Sequence, residues 1–273
     1  MHAILRILKP AVLITVLITC SRTGSAQKIN SLSDVGSENS DEYKYRSSFI
    51  TGIFVGGNYS WIDGLDRTIL SEPFFLEYSL KKKQRTGINA GIFINYRDEN
   101  FASNLLGIHV ELGYSQQGSD LNFKNFQKDF TYRIQFKYNY INLNALLKYY
   151  IADYDNAYQM LPHLNAFAGM RVGINTTPSN IIYTSGGTGY EPAFGSDLAQ
   201  QQQLQNVLKG KSSVGLVFGV GYEARFFSID ARYNHGLNDV VETKSNSYNF
   251  IENHNANSFF QFTLAYNLDF NRP

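Results

Sequence analysis

Phe260-Gln261-Phe262-Thr263-Leu264-Ala265-Tyr266-Asn267-Leu268-Asp269-Phe270 decides the fold. Large apolar side chains alternate without a break against polar or small ones. A period of two is the signature of a strand with two unlike faces. The same alternation returns upstream. Ile88, Ala90, Ile92, Ile94 and Tyr96 alternate with Gly87, Asn89, Gly91, Phe93 and Asn95. Leu106 to Tyr114, Ile141 to Tyr149, Leu164 to Ile174, Val214 to Tyr222 and Phe227 to Tyr233 follow the same rule. A first strand near residues 49–62 is less regular, because Phe54 breaks its polar set. The reading is eight strands.

Alternation does not say which face points outward. A water-soluble barrel keeps its apolar face inside. Here glycines mark the polar set: Gly87, Gly91, Gly107, Gly113, Gly169, Gly173, Gly215, Gly219 and Gly221. Glycine weakens a strand and has no use on a solvated face, whereas a narrow eight-stranded interior needs small residues. Glu111, Arg171, Glu223, Asp230 and Arg232 share that set, with Arg97, Lys148 and Asp269 near strand ends. The apolar set carries no charge, as a lipid-facing surface requires. Tyr96, Tyr149, Tyr222, Phe227 and Phe270 gather at one end of it, and Tyr59, Trp61, Tyr114, Tyr233 and Phe260 at the other. Such aromatic belts form at the two membrane interfaces.

The connections alternate in length. Residues 63–85, 117–135, 176–211 and 235–257 read as long loops, and 98–103, 150–163 and 224–226 as short turns. Outer-membrane barrels have long extracellular loops and short periplasmic turns. Within the longest loop, residues 197–209 read as a short helix ended by Gly210, with Gln200–Gln203 as solvated surface.

The whole chain of 273 residues fits this picture. It has 24 Lys+Arg against 23 Asp+Glu, a net charge of +1 that gives no basic excess for nucleic acid. Tyr and Phe number 19 and 20, and aromatics make up 15%. A mean hydropathy of −0.26 excludes a bundle of membrane-spanning helices. The start carries Arg6 and Lys9, an apolar run from Ala11 to Cys20, and Gly24-Ser25-Ala26. This reads as a secretory signal over residues 1–26, too short in its apolar part to span a bilayer. The alternative is a lipoprotein signal with Cys20 acylated. Residues 27–47 read as a flexible periplasmic lead-in, and 48–273 as the barrel domain.

With those residues in view, the chain resembles the PorT-like outer-membrane β-barrel family of Bacteroidetes. The matching pieces are Phe54-Val55-Gly56-Gly57-Asn58-Tyr59-Ser60, Glu111-Leu112-Gly113-Tyr114-Ser115-Gln116-Gln117-Gly118, the stretch from Tyr140 to Tyr149, and Ala231-Arg232-Tyr233-Asn234-His235-Gly236-Leu237-Asn238. In the third of these, Asn144 stands where the family often has Pro. The resemblance implies a barrel fold and transfers no catalytic residue. It links the chain to secretion of proteins across the outer membrane.

No hydrolase elbow, zinc-protease motif, phosphate loop or Cys/His metal spacing is present. The expectation is therefore no enzyme, no cofactor and no metal. Three functions compete: a plugged anchor that displays loops for interaction or assembly, a small porin, and a lipid-modifying enzyme using His235 or His254 with Ser245, Ser247 and Asp239. A charge network of Glu111, Arg171, Asp230 and Arg232 is expected to close the lumen. His109, on the inward set, is expected to be hydrogen-bonded. Lys81, Lys82, Lys83 and Arg85 form a basic run expected to meet lipopolysaccharide. Other expected partners are outer-membrane lipid, the barrel-assembly machinery during insertion, and a protein at the extracellular loops.

Overall fold

Strands β1 (Ser48–Ile62), β2 (Tyr78–Arg97), β3 (Leu106–Asn125), β4 (Thr131–Tyr150), β5 (Leu164–Asn175), β6 (Ile181–Gly186), β7 (Ser213–Glu223), β8 (Phe227–Gly236) and β9 (Asn257–Asp269) form one antiparallel sheet in the computed structural model. The structure describes residues 48–65, 78–97, 105–125, 129–151, 164–187, 196–224, 226–242 and 251–269. The signal and lead-in expectations, with Cys20, lie outside these residues, as do Ser245, Ser247 and Phe270.

Each strand pairs with the next along the chain except around β6. β5 pairs with β7, and β1 pairs with β9 from Ile50↔Asp269 to Ile62↔Asn257, so eight strands close a ring. The ninth, β6, lies outside the ring and pairs only with the first residues of β4, from Thr131↔Gly186 to Phe136↔Ile181.

The outward set confirms the inside-out arrangement. Phe262, Val220 and Ile174 are 64%, 61% and 60% exposed, whereas Glu111, Arg171 and Arg232 are buried. In water, each such exposed side chain would forgo about 1.5–3 kcal/mol of burial; in lipid it forgoes nothing. Phe54, which broke the pattern of β1, points into the lumen. A methyl group added at Gly113 would sit 2.7 Å from its Cζ and 2.9 Å from the Ala90 carbonyl oxygen. Gly113 is thus the floor on which the Phe54 ring rests. Gly57 has no such neighbour nearer than 4.0 Å. Gly113→Ala is expected to lower stability by about 1–3 kcal/mol, and Gly57→Ala to be neutral or slightly stabilising. Thermal unfolding of detergent-folded protein checks both.

One expected loop is largely strand, and two others hold strand in part. β2, β3 and β4 are 20 residues each, beyond the roughly 9–11 needed to cross a bilayer. The register of β3 with β4 runs from Leu106↔Tyr149 to Lys124↔Thr131, so residues 117–135 are mostly a hairpin standing beyond the membrane. Alternation fails there because both faces are partly covered. Residues 176–211 contain β6 and helix α1 (Asp197–Val207), ended at Leu208 rather than at Gly210. Ser196 caps α1, its hydroxyl accepting from the Ala199 N–H at 3.3 Å. The helix covers the free edge of β6. The Asp197 carboxylate accepts from the Ser185 N–H, Gln201 Oε1 accepts from the Tyr183 N–H, and Gln205 donates to the Ile181 carbonyl. Four residues of helix rise about 6 Å, close to the roughly 6.7 Å of two strand residues, so the two ladders match. Gln201 therefore masks an edge open to pairing with other chains, rather than being plain solvated surface.

Beneath α1 lies an apolar cluster that the alternation did not reveal. Ile62, Leu121, Phe123, Ile134, Phe136, Ile181, Leu204, Leu208, Val240, Val241 and Ile251 are buried in it. It joins all four connections at the end opposite the termini into one packed head.

Candidate functional site

The lumen is crossed by side chains at several levels. At mid-height Glu111 on β3 faces Arg232 on β8. Arg232 Nη1 donates to Glu111 Oε2 at 2.7 Å and Nη2 to Oε1 at 2.9 Å. This two-pronged geometry is the strong form of an ion pair. Nη2 also reaches Asp230 Oδ2 at 2.7 Å, and the guanidinium lies 5.3 Å from the Phe167 ring centre. His109 Nε2 lies 2.9 Å from Glu111 Oε1, and Asn144 Nδ2 donates to Oε2 at 2.7 Å. The Phe93 ring stacks on His109 at 5.1 Å. Both carboxylate oxygens thus hold two partners in a space closed to solvent.

Arg171 does not join this group. Register sets Asn144 between Glu111 and Arg171, and Asn144 takes the place beside the carboxylate. Arg171 reaches away from the termini instead. Its Nη2 donates to the Ser213 hydroxyl at 2.9 Å, Nη1 contacts Gln117 Oε1 at 3.4 Å, and its plane lies 4.8 Å from the Phe259 ring centre. Asn257 donates to the same Gln117 oxygen. The expected four-residue network is therefore three residues plus a separate upper tier.

A third tier, nearer the termini, was not expected as a unit. Glu223 Oε2 accepts from Lys148 Nζ at 3.3 Å and from the Tyr150 hydroxyl at 3.1 Å, and Asn95 donates to Oε1 at 3.3 Å. Arg97 lies over the Tyr150 ring at 3.8 Å. Lys148 and Glu223 sit on strands distant in sequence, so parity alone could place both inside but could not pair them.

The basic run is split by the pleat. It belongs to β2 rather than to a loop. Lys81 and Lys83 are exposed on the outer face. Lys82 turns inward, donates to the Ile62 carbonyl at 3.3 Å and lies 4.0 Å from Asp63. Arg85, past an irregularity in the register with β3, is half-buried. Of the residues named for a lipid enzyme, His254 and Asp239 come together, while Ser245 and Ser247 lie outside the described residues. His235 lies by Tyr233 on the outward face, with Nδ1 3.4 Å from the phenol oxygen. His254 pairs with Asp239 at 3.2 Å.

The belts are in place. At the far end Trp61, Tyr233 and Phe260 form an outward ring cluster with centres 5.2–6.3 Å apart. At the terminal end Tyr96, Tyr149 and Phe227 are exposed.

Several solved barrels are similar in outline. Neisserial surface protein A shares 12% identity over 81% of this chain and 99% of its own, with a TM-score of 0.32. OprG from Pseudomonas aeruginosa shares 11% over 82% and 96%, with a TM-score of 0.32. Ail, the attachment invasion locus protein of Yersinia pestis, shares 11% over 81% and 99%, with a TM-score of 0.26. No curated protein matches the sequence. A family profile described as "Outer membrane protein beta-barrel domain" matches residues 24–242, most of the chain. With its closed antiparallel ring and apolar outer face, this chain belongs to the outer membrane protein beta-barrel domain family and resides in the outer membrane.

Proposed function

We propose that the protein is a side-chain-plugged outer-membrane anchor that carries a rigid extracellular head for interaction or assembly, and neither an enzyme nor a solute channel. The observation that carries this reading is the Glu111–Arg232 pair, which spans the lumen at mid-height with both partners buried. The apolar cluster under α1, buried at the far end, supports the same reading. The long strand extensions hold that cluster at a fixed height, which suits a docking platform better than a set of loose loops. The PorT-like resemblance supports a role in protein secretion or assembly at the outer membrane, with the partner at the head. The assembly machinery would meet the chain at β9 during insertion.

Purified protein in planar lipid bilayers tests the reading. Wild type should give no sustained conductance steps. Frequent, long-lived steps in the wild type would favour a porin and remove the plug.

A further inference from the structure

The outer face of the extension carries a groove of about 550 Å³ that the lumen and head do not use. Lys81 and Lys83 of β2, Lys124 of β3 and Arg133 of β4 line it, with the hydroxyls of Thr131 and Thr184. The pairing brings them together. Lys81 is opposite Asn122, Asn122 opposite Arg133, and Arg133 opposite Thr184, while Lys124 is opposite Thr131. Neighbouring strands are about 4.8 Å apart, so Lys81 and Arg133 start about 10 Å from each other. Among the described residues Asp197 sits at the rim, accepting from the Ser185 N–H, and one carboxylate, Asp120, shares this face. It is buried, accepts from Gln135 at 3.2 Å and pairs with Arg133, orienting that guanidinium. Among the described residues, four cations against these two anions leave the groove positive.

Its height names the occupant. Ile88 ends the lipid-facing row of β2, and Lys83 stands five positions beyond it on the same strand. At about 3.3 Å per residue and a strand tilt of about 40°, that is about 13 Å above the apolar band. On β4, Lys137 lies between Ile141, the last lipid-facing residue, and Arg133, and continues the basic face toward the lipid. The groove is thus flush with the membrane-facing wall, at headgroup height, and not on top of the head. We infer that this groove binds the phosphate groups of lipopolysaccharide in the surrounding outer leaflet, clamping the head to its own membrane. The inference deepens the platform reading and rests on it for the rigidity of the extension.

The test uses the full chain folded in detergent, titrated with fluorescently labelled rough lipopolysaccharide, with the same material dephosphorylated, and with inorganic phosphate as competitor. Wild type should bind the phosphorylated form, more weakly as salt rises. The variant Lys81→Gln/Lys83→Gln/Lys124→Gln should bind it about tenfold more weakly or worse, since each basic residue near an anionic surface contributes severalfold. Lys209→Gln, outside the groove, should bind as wild type. Heat-modifiable migration checks folding; if the triple variant does not fold, Lys81→Gln and Lys83→Gln alone should each weaken binding about two- to threefold. Unchanged binding by the variants, or equal binding of the dephosphorylated form, would overturn the proposal. Displacement by inorganic phosphate at equal phosphate concentration would also overturn it, assigning the groove to the free ion. Failure of the platform reading shows separately, as conductance in bilayers.

Discussion

A chain ending at Ala256 should give no folded barrel. Removing β9 takes away the partner of β1 along its whole length and the partner of β8. Two strand edges would then face lipid, where each unmet backbone group costs several kcal/mol because hydrocarbon offers no hydrogen bond. The inward contacts of β9, such as Gln261 with Asn89 and Asn257 with Gln117, go with it, and the outward Phe260, Phe262, Leu264 and Tyr266 only met lipid. The readout is the shift between folded and heat-denatured bands on cold SDS gels, together with the amount of protein in outer membranes. A shifted band at wild-type level from the truncated chain would mean that eight strands are not required for closure.

Arg232→Gln should cost more than Glu111→Gln. Without the guanidinium, two buried carboxylates, Glu111 and Asp230, lose their shared cation. Leaving a buried charge unmatched typically costs about 3–5 kcal/mol, and Asn144 and His109 offset only part of that at Glu111. Without the Glu111 carboxylate, Arg232 still holds Asp230 at 2.7 Å. The expected loss for Glu111→Gln is about 1–3 kcal/mol, since a pairing is broken but no charge is left alone. The double variant should lose less than the sum of the two, by about 1 kcal/mol or more, because each single change breaks the same contact. Denaturant unfolding in detergent measures all three. Equal single losses would contradict the three-cornered pairing, and strict additivity would contradict the contact itself.

The two faces of each spanning strand were legible because lipid and lumen impose opposite chemistry at a period of two. Glycine and charge fell on one set, and unbroken apolar residues on the other. That also placed Glu111 and Arg232 inside, on the third and seventh strands of an eight-strand ring, where they face each other. The same logic stopped at the membrane surface. Past Gln116 on β3 and before Ile141 on β4 both faces meet protein or water, so Leu121, Phe123, Ile134 and Phe136 read as loop although they are strand. Arg171 shows a second limit. Parity gives the face of a side chain and register gives its row, but a long side chain chooses its height, and Asn144 had filled the nearer place. The pairing of Lys148 with Glu223 was hidden for a related reason, since it depends on which strands meet around the ring. Lys81, Lys82, Lys83 and Arg85 look like one patch in sequence, yet the pleat sends Lys82 to the interior and leaves Lys81 and Lys83 to join Lys124 and Arg133 from other strands.

The plugged barrel depends on one contact across the lumen, and nitrogen-15 NMR of arginine-labelled, detergent-folded protein observes it directly. Held by Glu111 and Asp230, the Arg232 guanidinium should rotate slowly and show separate Nη signals, with a hydrogen-bond correlation to the Glu111 carboxylate carbon that vanishes in Glu111→Gln. A single averaged Nη signal for Arg232, unchanged by Glu111→Gln, would show a side chain free in an open lumen and contradict the closed barrel.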